Sequence, residues 1–193
     1  MNGTPNKRAA VVIGVSTSAG LTPLVSAPSS ASEIGDWLRQ LEPGYDVTVI
    51  TDKDGAPVTR KQIFDAVSHY LTPTRYEMLV IYYIGHGLFQ NASDVWMLSG
   101  APEDPAECVN FDESRDSAKF CGVKNVVFVS DACRWYEFRV EACDTSKPRA
   151  ELTARVVHSG RLRDVLGFQR ARHAVVEAAI LATRVHLLPA GDL

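Results

Sequence analysis

Tyr82-Tyr83-Ile84-Gly85-His86-Gly87 and Val127-Phe128-Val129-Ser130-Asp131-Ala132-Cys133-Arg134 are the two stretches that decide how this chain of 193 residues folds. Each is an apolar, β-rich run of the kind that forms a strand covered on both faces. Each run ends in a residue able to do chemistry: a histidine between two glycines, and a cysteine after Asp-Ala. A histidine and a cysteine at the carboxyl ends of consecutive strands can face each other, as a thiol nucleophile and its base require.

Working outward, Ala9-Ala10-Val11-Val12-Ile13-Gly14-Val15 is a third run of this kind and reads as the first strand. A Ser-, Thr-, Pro- and Ala-rich loop, 16–30, follows it. The spacing of Ile34, Trp37, Leu38 and Leu41 predicts a helix over 31–41, closed by Gly44. Val47–Ile50 is the second strand. Thr59-Arg60-Lys61-Gln62 is a capping box opening a helix that carries Ile63, Phe64, Val67 and Leu71 on one face and ends near Pro73. Met78–Ile84 is the third strand and Asn125–Ser130 the fourth. Between them, 88–122 reads as a long acidic insertion with a strand-like piece at 95–98 and a helix at 112–121. Trp37 and Trp96 read as core. After Cys133, 134–151 reads as loop and 161–182 as one or two helices.

Strands alternating with helices indicate an α/β fold: a three-layer sandwich with a mainly parallel sheet in the order 2-1-3-4. In that order the third and fourth strands are neighbours, and ligands bind beyond the carboxyl ends of the strands. The domain expectation is a disordered N-terminus over 1–8, a catalytic domain over 9–150, and a divergent or incomplete C-terminal segment over 151–193.

Composition narrows the function. Hydrophobic residues make up 46% of the chain, enough for a real core. The formal net charge of −3 gives no reason to expect nucleic acid as a partner. The charge is uneven: 1–146 hold 12 basic and 19 acidic residues, and 147–193 hold 8 and 4. The basic tail, with Arg155, Arg161, Arg163, Arg170 and Arg172, reads as a solvated face or as docking onto the acidic body. No stretch is apolar for long enough to span a bilayer, so no membrane association is expected. Cys108, Cys121, Cys133 and Cys143 form no C-x-x-C pair, and with no secretion signal a reduced, cytoplasmic setting is the expectation. His158, His173 and His186 have no metal-ligand spacing. No Gly-rich phosphate loop is present, which ranks a flavodoxin-like ligand binder last.

The chemistry follows from residue types. The thiolate is the nucleophile, and a nearby imidazole can take the thiol proton and return it to a leaving amine. Gly87 lets a substrate backbone approach closely. The amides of Gly87 and Cys133 can both point at an oxygen that becomes negative in the transition state, each such donor being worth roughly 3–4 kcal/mol.

Gly85-His86-Gly87 and Ser130-Asp131-Ala132-Cys133-Arg134, with the opening strand Val11–Val15, resemble the caspase-like cysteine peptidases, the clan of caspases, metacaspases and paracaspases. The histidine precedes the cysteine by 47 residues here, close to the interval of about 50 in caspases. Leu24-Val25-Ser26-Ala27, Ala31 and Trp37-Leu38 resemble that family's first loop and helix, so the likeness covers about 9–135. The resemblance implies that His86 is the general base, Cys133 the nucleophile, and the amides of Gly87 and Cys133 the oxyanion hole. It places Asp131 on the wall of the pocket for the residue before the cut, where a carboxylate suits Arg or Lys; Asp131 as a cap of the turn after the strand is the equal alternative. Ser30 stands where metacaspase-like chains carry a second aspartate of that pocket. Arg134-Trp135-Tyr136 replace the glycine often found after the nucleophile. The family's second half, with its further strands, has no recognisable counterpart in 151–193. The expected partner is a protein or peptide substrate, with a partner subunit or regulatory protein completing the groove as a further expectation. A catalytically incomplete interaction module is the alternative function. No cofactor is expected. Some family members depend on calcium, so a calcium site in the acidic run Glu103, Asp104, Glu107, Asp112, Glu113 and Asp116 is the alternative; the run lacks the spacing of a calcium loop and reads first as a solvated loop.

Overall fold

The structure, a computed structural model, describes residues 7–71, 76–90, 93–136 and 151–158, with the backbone alone for 133–136 and 151–158. Its elements are β1 (Arg8–Gly14), α1 (Ala27–Gln40), β2 (Tyr45–Thr51), α2 (Arg60–Tyr70), β3 (Met78–Gln90), β4 (Ser93–Met97), β5 (Cys108–Asn110), α3 (Phe111–Ala118), β6 (Asn125–Tyr136) and β7 (Glu151–His158).

The continuous apolar runs form strands because both of their faces are covered. In β1, Ala9, Val11 and Ile13 pack on one side of the sheet and Ala10 and Val12 on the other. Leu79, Ile81 and Tyr83 of β3 alternate in the same way with Met78, Val80, Tyr82 and Ile84. One face is covered by α1 through Ala27, Ala31, Ile34 and Leu38. The other is covered by Ile63 and Tyr70 of α2 and Phe111 of α3. Helix, sheet, helix are the expected three layers. Gly14 is where α1 comes closest, since a Cβ there would lie 2.6 Å from the Ala27 carbonyl oxygen.

The sheet is mixed, which corrects the expectation of a mainly parallel one. Its parallel part runs β2-β1-β3-β6, the expected order of the first four strands. To this are added β4 antiparallel to β3, β5 antiparallel to β4, and β7 antiparallel to β6. β4 takes over as the neighbour of β3 where β1 stops: Gly14 pairs with Ile84, and His86 with Met97. This handover lets β3 continue to Gln90 and β6 to Tyr136, beyond the ends expected at Ile84 and Ser130. The stretch expected as an irregular insertion is ordered by the same ladder, and α3 starts at Phe111, capped by the Asn110 side chain.

α1 begins at Ala27, earlier than 31, because Pro28 in its first turn needs no amide partner. The capping box of α2 is formed: Thr59 Oγ1 accepts from the Gln62 amide and Gln62 Oε1 from the Thr59 amide at 2.9 Å. Thr59→Ala is expected to lower stability by about 1 kcal/mol, measured by urea unfolding; an unchanged midpoint would show the cap to be idle. Arg8 already belongs to β1 and Arg134–Tyr136 to β6, while residues 1–6, 137–150 and 159–193, including the helix expected at 161–182, lie outside the described residues. Glu151–His158 is a strand of the main sheet. Among the described residues no helix is long and apolar enough to cross a membrane.

Candidate active site

The parallel register of β3 and β6 pairs Met78 with Asn125 and keeps that offset through Gly85↔Ala132. It resumes at Leu88↔Trp135, with no pair at the two levels between. The offset equals the interval from His86 to Cys133, so the two residues stand at one level on neighbouring strands, inside the interruption. Adjacent strands are about 4.8 Å apart. Their equal level follows from in-register pairing, not from strand ends, since both strands run on past them.

His86 is buried, with 5% of its surface exposed. Its Nε2 lies 2.8 Å from the Thr22 carbonyl oxygen. A carbonyl only accepts, so Nε2 is the donor, and in the neutral tautomer this leaves the lone pair on Nδ1. Nδ1 is buried and has no hydrogen-bond partner among the described residues. A buried imidazole oriented through one nitrogen, with the other nitrogen unpartnered, is the arrangement a general base needs.

Thr22 can do this because its loop is pinned. The Asp52 carboxylate accepts from the amides of Ser16 and Thr17 at 2.7–3.0 Å. Ser18 Oγ donates to the Met97 carbonyl, and the Leu24 amide to the Ser16 carbonyl. These amides sit where a doubly wound nucleotide binder would cradle a phosphate; here the chain's own carboxylate fills the place. Neither Thr22 nor Asp52 carried any sequence signal, because the ring-to-carbonyl contact joins residues 64 apart.

Gly87 follows His86 in β3 and pairs with Trp96 of β4. Asp131 lies within β6, between Ile84 of β3 and Ala154 of β7, and with the strand continuing to Tyr136 it has no turn to cap. Ser30, expected in the first loop, lies in the opening turns of α1 and is 7% exposed. Two other thiols are distinguished from Cys133. Cys108 is pushed up in pKa by burial, then by the Asp104 and Glu107 carboxylates, which suppresses its thiolate. Cys121 is half-buried with Sγ 3.7 Å from the Val123 carbonyl.

Four residues of the acidic run, Asp104, Glu107, Asp112 and Asp116, are used structurally. Asp104 accepts from the Ala106 amide, Glu107 from the Arg60 amide at 2.7 Å, Asp112 pairs with Arg115, and Asp116 pairs with Lys119. Among the described residues no three His, Cys, Asp or Glu side chains converge as a metal site.

No protein-family model matches the chain, and no curated protein does. Among solved structures, the chain is similar to the crystal structure of the Drosophila initiator caspase Dronc, at 11% identity and a TM-score of 0.45. The likeness covers 65% of this chain and 55% of that one, so the chain spans little more than half its length. The functional reading therefore rests on the site.

Proposed function

We propose that the chain is a caspase-like cysteine endopeptidase working through a His86/Cys133 dyad. The observation that carries this is the geometry of His86: buried, bonded through Nε2 to the Thr22 carbonyl, and with Nδ1 unpartnered among the described residues, at the level of Cys133 on the next strand. In this mechanism Nδ1 takes the thiol proton as the sulfur attacks the scissile carbonyl. The amides of Gly87 and Cys133 stabilise the resulting oxyanion. The imidazolium then gives its proton to the leaving amine, and a water activated by the same nitrogen hydrolyses the thioester.

Asp131 and Ser30 are the residues we assign to the pocket for the side chain before the cut. A carboxylate in that pocket selects Arg or Lys, and Asp131→Asn is expected to raise KM for an Arg substrate far more than it lowers kcat. Hydrolysis after Asp instead of Arg would remove Asp131 from this role.

Labelling of the whole protein with a peptidyl-Arg chloromethylketone, followed by mass-spectrometric mapping, tests the assignment. Modification confined to Cys133 is expected. No labelling at Cys133 would replace this reading with the interaction module, in which the fold serves a partner protein and not a substrate.

A further inference from the structure

We propose that Tyr83 is a positioning residue of this site, aiming the Gly87 amide at the substrate oxyanion by holding the carbonyl of His86. The inference rests on the peptidase reading of the same residues.

Tyr83 is fully buried. Its hydroxyl lies 2.8 Å from the His86 carbonyl oxygen and 2.7 Å from the Met97 carbonyl oxygen. His86 and Met97 are the first pair of the β3·β4 ladder, so the single phenol proton, shared between the two carbonyls as a three-centre bond, clasps both strands where β4 takes over from β1. The peptide unit that ends in the His86 carbonyl oxygen begins the amide of Gly87. That unit is planar and trans, so its C=O and N–H point in opposite directions. Whatever fixes the oxygen therefore fixes the direction of the Gly87 N–H.

That direction is the useful one. Along a strand, successive residues turn their backbone groups to alternate neighbours. The Ile84 carbonyl accepts from Val15, on the β1 side. The His86 carbonyl, two residues on, lies on the same side, where Met97 and the Tyr83 hydroxyl meet it. The Gly87 N–H then faces β6, in the stretch where the β3·β6 ladder is interrupted at the level of Cys133. The hydroxyl also polarises the peptide it binds, which makes the N–H a better donor.

Two further features serve this contact. A Cβ on Gly85 would lie 2.7 Å from Tyr83 Cζ, so glycine at 85 is what lets the phenol fold over the strand. The Tyr83 ring is stacked on Trp96 at 4.7 Å and 8°. Trp96 Nε1 in turn donates to Ser130 Oγ at 2.8 Å, on the strand that carries Cys133. The phenol is thus braced from β4 and β6 together.

The test compares wild type with Tyr83→Phe, which keeps the ring and removes the clasp. Hydrolysis of a fluorogenic Arg peptide is expected to lose about 10- to 100-fold in kcat, with KM nearly unchanged. Alkylation of Cys133 by iodoacetamide, which needs the dyad but no oxyanion hole, is expected to stay within about 2-fold. Gly85→Ala should reproduce the loss, and the double variant should add little to it. A kcat within about 2-fold of wild type, or equal losses in hydrolysis and alkylation, overturns the proposal. If wild type neither cleaves nor is labelled at Cys133, the peptidase reading fails by itself. The clasp is then read from the Gly87 15N resonance, which should shift in Tyr83→Phe; an unmoved resonance overturns it.

Discussion

Cys133→Ala is expected to abolish hydrolysis of Arg and Lys peptides, a loss of at least about 10⁴-fold. In the proposed mechanism the substitution removes the sulfur that forms the acyl intermediate, and the proposed oxyanion hole can then do no more than polarise a peptide for attack by water. His86→Ala should be less severe and differently shaped. The sulfur remains, and an unassisted thiol is still a few per cent thiolate at neutral pH. Its residual rate should climb as pH rises toward the ordinary thiol pKa of about 8.5, whereas Cys133→Ala should show no such rise. Initial rates with a fluorogenic substrate from pH 6 to 9 distinguish the two. If Cys133→Ala retains a tenth of the wild-type rate, the nucleophile lies elsewhere.

Trp96→Ala is the substitution expected to damage the fold most. The indole is 2% exposed, stacks on Tyr83, meets Phe111 edge-on at 5.6 Å, and donates to Ser130 Oγ. Truncation removes those contacts, leaves a void beneath α3, and strands a buried hydroxyl. Phe/Trp→Ala in a core costs about 3–5 kcal/mol, which for a chain of this size lowers Tm by roughly 6–20 °C. Trp96→Phe should recover most of the packing but not the hydrogen bond, leaving a deficit of about 1–2 kcal/mol. Calorimetry of the two variants measures the difference. A fall of less than about 1 kcal/mol for the alanine variant would mean that β4 is loosely held.

Part of this molecule was legible without coordinates. Val11, Val12 and Ile13 stand in an unbroken aliphatic run, which only a strand covered on both faces tolerates, and β1 has that setting. Thr59 and Gln62 announce a helix start because their hydrogen bonds are made within three residues. The order of the four parallel strands is the one chosen from the few arrangements that handed crossovers allow. The interval between His86 and Cys133 carried more than its use as a motif, since it is the register of β3 on β6.

Tertiary pairing decided the rest. Residues 93–97 and 108–110 have strand composition, but strand direction depends on a partner distant in sequence, so the mixed sheet was not legible. The same holds for Thr22 on His86 and for Tyr83 on the carbonyls of His86 and Met97. Local sequence determined which segments are strands and which residues can react. Only the folded sheet decided which nitrogen of His86 is tied to a carbonyl and which way the Gly87 amide points, because backbone carbonyls set both and every residue type carries one.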